Sequence, residues 1–530
     1  MFFDDQKKII DNFNSHNHNL FRFKNKKKKI FLVEFNGWSA IHIIFSYIIN
    51  FYKTKKKCKI VAYECFDVLN RITPKWYSKY LWKLGVILNL KTFKIFKSFG
   101  TDSFLKPNYT NEQIKQAENI TNIFFKKDLT LKQLENFKIE GIWIGDLIYD
   151  SYLKKYQYGT IDLKSIRFKF FFLECAKLFY FWNNFFNKYS VEAIAGCHAV
   201  YVTGIPLRIA NQRKLNCFAI SGFNCDLVNL KGNISSNKKI NGSDIQFKYY
   251  KKFLKKISNH EKKKYLVQGK KIIQEIISGK KRYNYLQNSS FNKKNYKIKN
   301  TINKKIKVAI FVHDFVDSPH IYGNHFFSDF QEWFNFLEEN IKKNNYDWYI
   351  KDHPASSFLT KIKVAELLKK NKNLRLIKKN FPNNKLKEIG INYVLTVYGT
   401  VASELPIYGI KVISASRNHP HKDFNFSINP KNFKEYKNIL KNLKKENFKI
   451  NKKDLYYFHF VKDLFSKNHI FFQEQNRYFD FLERKPLRFT PIVYKYWLED
   501  FNLKKHYQIK NDLADFINEG DYFYLKSNKF

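Results

Sequence analysis

Acidic residues are scarce in this chain: 46 Asp and Glu stand against 96 Lys and Arg, a formal net charge of +50 over 530 residues. Glycine (18), proline (11) and methionine (1) are few as well, which excludes collagen-like and proline- or glycine-rich low-complexity architectures. The six cysteines, Cys58, Cys65, Cys175, Cys197, Cys217 and Cys225, form no CxxC pair and no zinc-finger spacing. They read as reduced, mostly buried thiols and not as a disulfide framework. The longest apolar runs, Ile41 to Tyr52 and Phe168 to Phe186, are short or broken by Asn50, Glu174 and Lys177, and neither reads as a bilayer span. The polar N-terminus around Asp4, Asp5 and Asp11 does not read as a secretory signal, so the expectation is a cytoplasmic protein. No Walker A lysine loop, GxGxxG after a strand, GxSxG elbow or HExxH helix occurs. That removes the common NTPase, dehydrogenase, serine-hydrolase and metalloprotease readings.

What is present is apolar and aromatic: 44% hydrophobic residues, with 55 Phe and 34 Tyr. Such a chain is not globally disordered, and its length calls for two cores. The basic excess is mostly Lys and comes with abundant Asn, Ile, Phe and Tyr, the pattern an AT-rich coding bias leaves on solvated faces. A peripheral role at an anionic membrane or on an anionic glycan is the second reading of the charge.

Apolar runs and turn signals order the chain into two α/β halves. A basic arm at 1–29 precedes a first strand at Ile30–Phe35, a helical run to about Tyr52 and a strand at Lys59–Tyr63. This is a parallel crossover unit. The half continues through Gly141–Asp150, an aromatic helix from about Leu163 to Tyr189, a strand-like run at Ala193–Tyr201 and the strand Asn216–Ile220, and closes near 230. Residues 231–305 are Lys- and Asn-rich and read as a basic helical and linker segment. A second α/β half at 306–470 opens with Ile306–Val312 and carries strands at Asp347–Lys351 and Leu374–Ile377, with helices at Phe326–Lys343 and Leu359–Asn371. Residues 471–530 read as C-terminal helices packing back. The fold class is α/β, two Rossmann-like domains facing a cleft.

In an open parallel sheet, ligands sit at the carboxyl ends of the strands. Three loops of the second half follow strands directly and should share one edge. The first holds His313, Asp314, Asp317, His320 and Asn324, a polar loop suited to sugar or phosphate contacts more than to a metal. The second is Lys351-Asp352-His353-Pro354, where His353 has a general acid or phosphate-contacting role and Lys351 and Asp352 read as surface charges. The third is Gly399-Thr400-Val-Ala-Ser403-Glu404, where Thr400 is placed to cap a short helix whose bare amides suit a phosphate. Glu404 sits one residue too late for a capping box, which leaves it a dipole partner or a carboxylate for a ribose diol. In the first half, Glu34, Asn36-Gly37-Trp38, Asp146 and His198 lie at or near strand ends, and a carboxylate among them is a candidate for the base that deprotonates an acceptor hydroxyl. Glu34 also fits a satisfied buried carboxylate. The His419-Pro420-His421-Lys422-Asp423 run reads as a polar loop.

The elements Lys351-Asp-His-Pro354, Gly399-Thr-Val-Ala-Ser-Glu404 and Gly409-Ile-Lys-Val-Ile413 resemble the capsule polysaccharide biosynthesis family, which includes bacterial transferases of 3-deoxy-manno-octulosonic acid. The resemblance covers about residues 306 to 415. It implies a GT-B glycosyltransferase that needs no metal and no cofactor and uses a nucleotide-sugar as substrate. Its partners would be a polysaccharide or lipid-linked acceptor and an anionic membrane surface. His353 and the Gly399-Thr400 turn would hold the donor phosphate, and Glu404 would contact the nucleotide. His313, Asp317, His320, Asn324 and Ser403 are further donor-side candidates read from the loops themselves. Two alternatives stay open: a sugar-nucleotide enzyme of the UDP-N-acetylglucosamine 2-epimerase type, and a non-catalytic nucleic-acid-binding protein built on the positive charge. No recognised nucleic-acid motif accompanies that charge.

Overall fold

The computed structural model describes residues 2–21, 29–70, 75–126, 128–197, 199–220, 227–231, 245–279, 291, 305–353, 356–379, 381–467, 471–472, 481–482, 485–486 and 490–520. His198 and Pro354, two residues singled out above, lie outside that set. The chain divides into two compact units. Unit 1 is Met1–Ser151, Leu163–Ser243 and Ser466–Phe530, and unit 2 is Tyr152–Asp162 and Asp244–Phe465.

The sheet of unit 1 comprises β1 (Lys29–Glu34), β2 (Cys58–Tyr63), β3 (Ser103–Leu105), β6 (Val191–Gly196), β7 (Asn216–Ile220) and β8 (Leu227–Asn229). A small antiparallel hairpin, β4 (Lys138–Ile139) and β5 (Ile142–Trp143), stands apart from it. The six strands run in the order β3-β2-β1-β6-β7-β8, parallel except that β8 is antiparallel to β7. The near-continuous burial of β1, β2 and β6 explains their unbroken apolar sequences: helices cover both faces of a parallel sheet.

The N-terminal segment differs from the basic arm read from sequence. Phe2–Leu20 is a helix, α1, whose buried face is Ile10, Phe13, Asn14 and Asn17. Phe13 stacks on Tyr494 with ring centroids 4.1 Å apart, and Asn17 Nδ2 donates to Ser98 Oγ at 3.0 Å. Two C-terminal helices, Ile492–Glu499 and Leu503–Glu519, share one core with α2 (Ser39–Thr54). Residues 471–530 therefore complete unit 1.

Unit 2 holds β9 (Lys307–Phe311), β10 (Asp347–Lys351), β11 (Leu374–Ile377), β12 (Ile391–Thr396) and β13 (Lys411–Ser414), all parallel, in the order β11-β10-β9-β12-β13. In chain order this is 3-2-1-4-5, a doubly wound sheet whose order reverses between β9 and β12. Side chains such as Val308, Ile310, Val394, Leu395, Val412 and Ile413 are fully enclosed, each stabilising by about 1.5–3 kcal/mol. The segment 231–305 read as helical and linker contributes the helices Ile245–Lys256 and Asn259–Ile277 to unit 2, where they pack on Lys452–Lys467 through Tyr250, Leu254, Ile273 and Phe458. Residues 232–244, 280–290 and 292–304 lie outside the described set. One short hairpin, β14 (Phe481–Leu482) with β15 (Lys485–Pro486), falls in a region read as helix only.

Candidate functional site

The parallel direction of unit 2 brings the loops after β9, β10 and β12 to one edge. At the point where strand order reverses, a ligand crevice forms most readily, and the residues there are His313 and the turn 396–400. His313 Nε2 lies 3.0 Å from Thr396 Oγ1 and accepts the amides of Val397 at 3.2 Å and Tyr398 at 3.3 Å. Two amides aimed at one ring nitrogen fix the tautomer with its proton on Nδ1. The ring stacks on Phe330 (4.9 Å) and contacts Tyr398 (4.5 Å). Burial first, and the nearby His353 second, push its pKa down to about 3. His313 is thus a positioning residue that shapes the β12 turn, not the free donor contact expected from sequence.

Gly399 donates its amide to Thr396 Oγ1 at 3.1 Å, and a Cβ there would come within 2.7 Å of that hydroxyl. Glycine is required by the close approach. Of the amides expected to be bare, Gly399's is therefore taken, while those of Thr400 and Val401 have no acceptor among the described residues. Thr400 does not cap the short helix Val401–Glu404: its backbone is already helical and its hydroxyl makes no cap bond. Ser403 is buried, its hydroxyl donates to Thr400 O at 3.0 Å, and its carbonyl is 2.6 Å from His459 Nε2. His459, on the helix Lys452–Lys467, had no sequence signal, because its partner is 56 residues away.

The β9 loop folds on itself. His320 and Asn324 are 0% and 1% exposed, so they belong to its interior and not to an open ligand surface. The ring of His320 stacks on that of His325 at 6.4 Å, and Asn324 O accepts from Asn418 Nδ2 at 2.7 Å. Asp317 is exposed, with Oδ1 accepting the Ser318 amide at 2.9 Å. Asp314 ties this loop to the next: its Oδ1 receives Ser357 Oγ at 2.5 Å and Thr360 Oγ1 at 2.6 Å, locking the start of the helix Phe358–Lys370.

His353 follows β10 and is half-buried. Burial lowers its pKa, while Asp314, Asp317 and Asp352 oppose that shift. A ring held neutral beside three carboxylates is suited to exchanging a proton. Lys351 overturns its reading as a surface charge. It is 4% exposed, Nζ donates to Phe381 O at 2.6 Å and Asn383 Oδ1 at 2.5 Å, and burial lowers its pKa to about 7 against the pull of Glu404. Glu404 is itself 3% exposed.

No family model matches the chain, and no curated protein matches it. Among solved structures it is similar to UDP-GlcNAc 2-epimerase from Neisseria meningitidis bound to UDP-GlcNAc, with 11% identity, 83% of this chain and 99% of that chain covered, and a TM-score of 0.22. It is also similar to the Methanocaldococcus jannaschii UDP-GlcNAc 2-epimerase in complex with UDP-GlcNAc and UDP, with 12% identity, 82% and 99% covered, and a TM-score of 0.24. A glycosyltransferase from Rickettsia africae gives 10% identity, 90% and 100% covered, and a TM-score of 0.21. TM-scores this low carry no argument about this chain, whose α/β assignment rests on its own sheet order and register.

In unit 1, Glu34 ends β1 fully buried, and its Oε2 accepts the Cys197 amide at 2.7 Å, joining the ends of β1 and β6. Asp146 is gripped by Arg208 through Nη1–Oδ1 at 2.7 Å and Nη2–Oδ2 at 2.5 Å, and the guanidinium lies 4.5 Å from the Trp143 ring centroid. Both carboxylate oxygens are engaged, so Asp146 acts as a framework anchor and not as a base. Among the described residues, no group of three or more His, Cys, Asp or Glu is placed to hold a metal ion.

Proposed function

We propose that the chain is a nucleotide-sugar enzyme, a glycosyltransferase that passes a sugar from a nucleotide-sugar to a polysaccharide or lipid-linked acceptor. The observation that carries the reading is the convergence of His313, His353 and the Thr396–Thr400 turn at the strand-order reversal of a 3-2-1-4-5 sheet. The donor nucleotide would lie over the Gly399–Thr400 turn, with the Thr400 and Val401 amides toward its phosphates, while the buried Glu404 would act through its charge on Lys351 at the end of β10. His353, neutral, would donate a hydrogen bond to the departing phosphate. Asp317 is the exposed polar residue of the first loop best able to reach the sugar.

An anionic membrane is the proposed setting. The helix Lys75–Ile87 leaves Trp76 74% exposed, with Tyr77, Tyr80, Leu81 and Ile87 also exposed beside Lys79 and Lys83. That combination suits the interface of an anionic leaflet. Among the described residues no helix is long and apolar enough to cross a membrane.

The test is turnover with radiolabelled UDP-, GDP- and CMP-sugars in the presence of lipid-linked acceptor, compared between the wild type, His353→Ala and Glu404→Ala. A loss of about 100-fold in His353→Ala, with nucleotide binding retained, supports the assignment. Full activity in both variants refutes it. Conversion of the donor without acceptor would point instead to the epimerase-type reaction.

A further inference from the structure

A cavity of about 600 Å³ lies wholly within unit 1 and has no part in the donor reading. It opens at the carboxyl ends of β1, β2 and β3, with Trp38 following β1, Glu64 and Asp67 following β2, and Lys106 following β3. Its volume falls within the roughly 300–1,000 Å³ of small-ligand sites. Two features give it a chemical character. The walls are aromatic: Trp38, Phe66, Trp82 and Phe93 line it, and Trp82 meets Phe35 at 4.9 Å and Phe93 at 5.2 Å in edge-to-face contacts.

The floor is a closed polar network. Lys106 Nζ is 2.5 Å from Asp67 Oδ2, donates to Ser78 Oγ at 3.0 Å and sits 5.6 Å from the Trp82 ring centroid. Ser78 Oγ donates to Asp67 Oδ1 at 2.6 Å. Glu64 Oε1 accepts the amides of Phe66 at 2.6 Å and Asp67 at 2.8 Å, while its Oε2 receives neither and lies 4.0 Å from Lys106 Nζ.

The Lys106 ammonium is already paired with Asp67 and leaves no free positive charge for a phosphate, and Glu64 adds a negative charge once it ionises, which disfavours a nucleotide or phosphorylated ligand. Aromatic faces beside fixed hydroxyl-accepting oxygens suit a neutral ring that is apolar on its faces and hydroxylated at its edge. We propose that this pocket binds the uncharged pyranose ring of a carbohydrate, stacked on Trp82 and hydrogen-bonded through its hydroxyls to Glu64. The assignment rests on the transferase reading for its purpose, an acceptor sugar, but not for its chemistry.

Burial, reinforced by Asp67, raises the Glu64 carboxyl to about 7, while Lys106 and the two amides pull it down. Besides Glu64, Asp67 and Lys106, the charged and titratable groups lining a smaller cavity on its other side are Cys65, Lys79, Tyr109, Glu174 and Lys177, and Glu174 and Lys177 pair with each other at 3.1 Å. Hydroxyl binding at Glu64 therefore strengthens as pH rises through 7.

The experiment is saturation-transfer NMR and tryptophan quenching of the full chain with the methyl glycosides of glucose, galactose, mannose and N-acetylglucosamine. At least one is expected to bind. Trp82→Ala should weaken it at least tenfold, and the near-isosteric Glu64→Gln, checked for folding by circular dichroism, should abolish the pH dependence. No saturation transfer from any of the four glycosides overturns the proposal, and so does unchanged affinity and pH profile in Glu64→Gln. Glycoside binding without nucleotide binding would leave the pocket standing and sink the transferase reading. Nucleotide binding without glycoside binding would do the reverse.

Discussion

Replacing Lys351 by Met removes an ammonium from the end of β10 where the surroundings exclude water. Its usual pKa of 10.5 falls to about 7, so at about 1.4 kcal/mol per tenfold change in proton affinity the charged form is disfavoured in the fold by about 5 kcal/mol. The sign follows from proton counting. Between pH 7 and 10.5 the unfolded chain holds a proton on Lys351 that the folded chain releases, so folding strengthens as pH rises through that window and is flat below it. The methionine variant lacks this slope. It also strips the donor from Phe381 O and Asn383 Oδ1, a pH-independent cost of about 1–3 kcal/mol for each group left unsatisfied. Urea unfolding of both proteins should therefore show the wild type gaining on the variant by about 1.4 kcal/mol per pH unit above 7. A difference that stays constant from about pH 6 to about pH 9 would show Lys351 to be an ordinary charged residue, and the burial argument would fail.

Three other outcomes follow from named contacts. Arg208→Ala leaves the Asp146 carboxylate buried without its partner and should cost unit 1 about 3–5 kcal/mol in chemical denaturation; a loss below about 1 kcal/mol would contradict the anchor role. His313→Ala withdraws the acceptor of the Val397 and Tyr398 amides, costs about 2–4 kcal/mol, and should raise hydrogen exchange at those two amides above the rest of the turn. Unchanged exchange there would mean the ring does not hold the turn. Trp76→Glu combined with Tyr80→Glu should reduce sedimentation with phosphatidylserine vesicles about tenfold, and equal sedimentation would remove the helix Lys75–Ile87 from any membrane contact.

Some of this was legible in the chain itself. Strands β10 and β11 coincide with the runs Asp347–Lys351 and Leu374–Ile377, because each run, β10 inside the sheet and β11 at its edge, is bounded by polar turns and filled with β-formers. Helix α1 was hidden because half of its buried face is Asn14 and Asn17, which pattern reading counts as polar. Strand β3 has three half-buried residues and no alternation to betray it. At the site, the three loops could be placed on one edge by topology alone. What each side chain does there could not: His313 engages amides 84 and 85 residues away, and Lys351 is buried by the segment around Phe381 and Asn383. Glu64, central to the unit 1 pocket, had no motif. The signal that could have flagged it is a Glu directly after an apolar strand, one residue beyond the position in β2 that pairs with Glu34 of β1.

Calorimetric titration of the full chain with UDP, GDP and CMP tests the central claim most directly. The account predicts saturable binding of at least one of them, weakened by Gly399→Ala, whose Cβ displaces the Thr396 hydroxyl. No heat of binding with any of the three would contradict it.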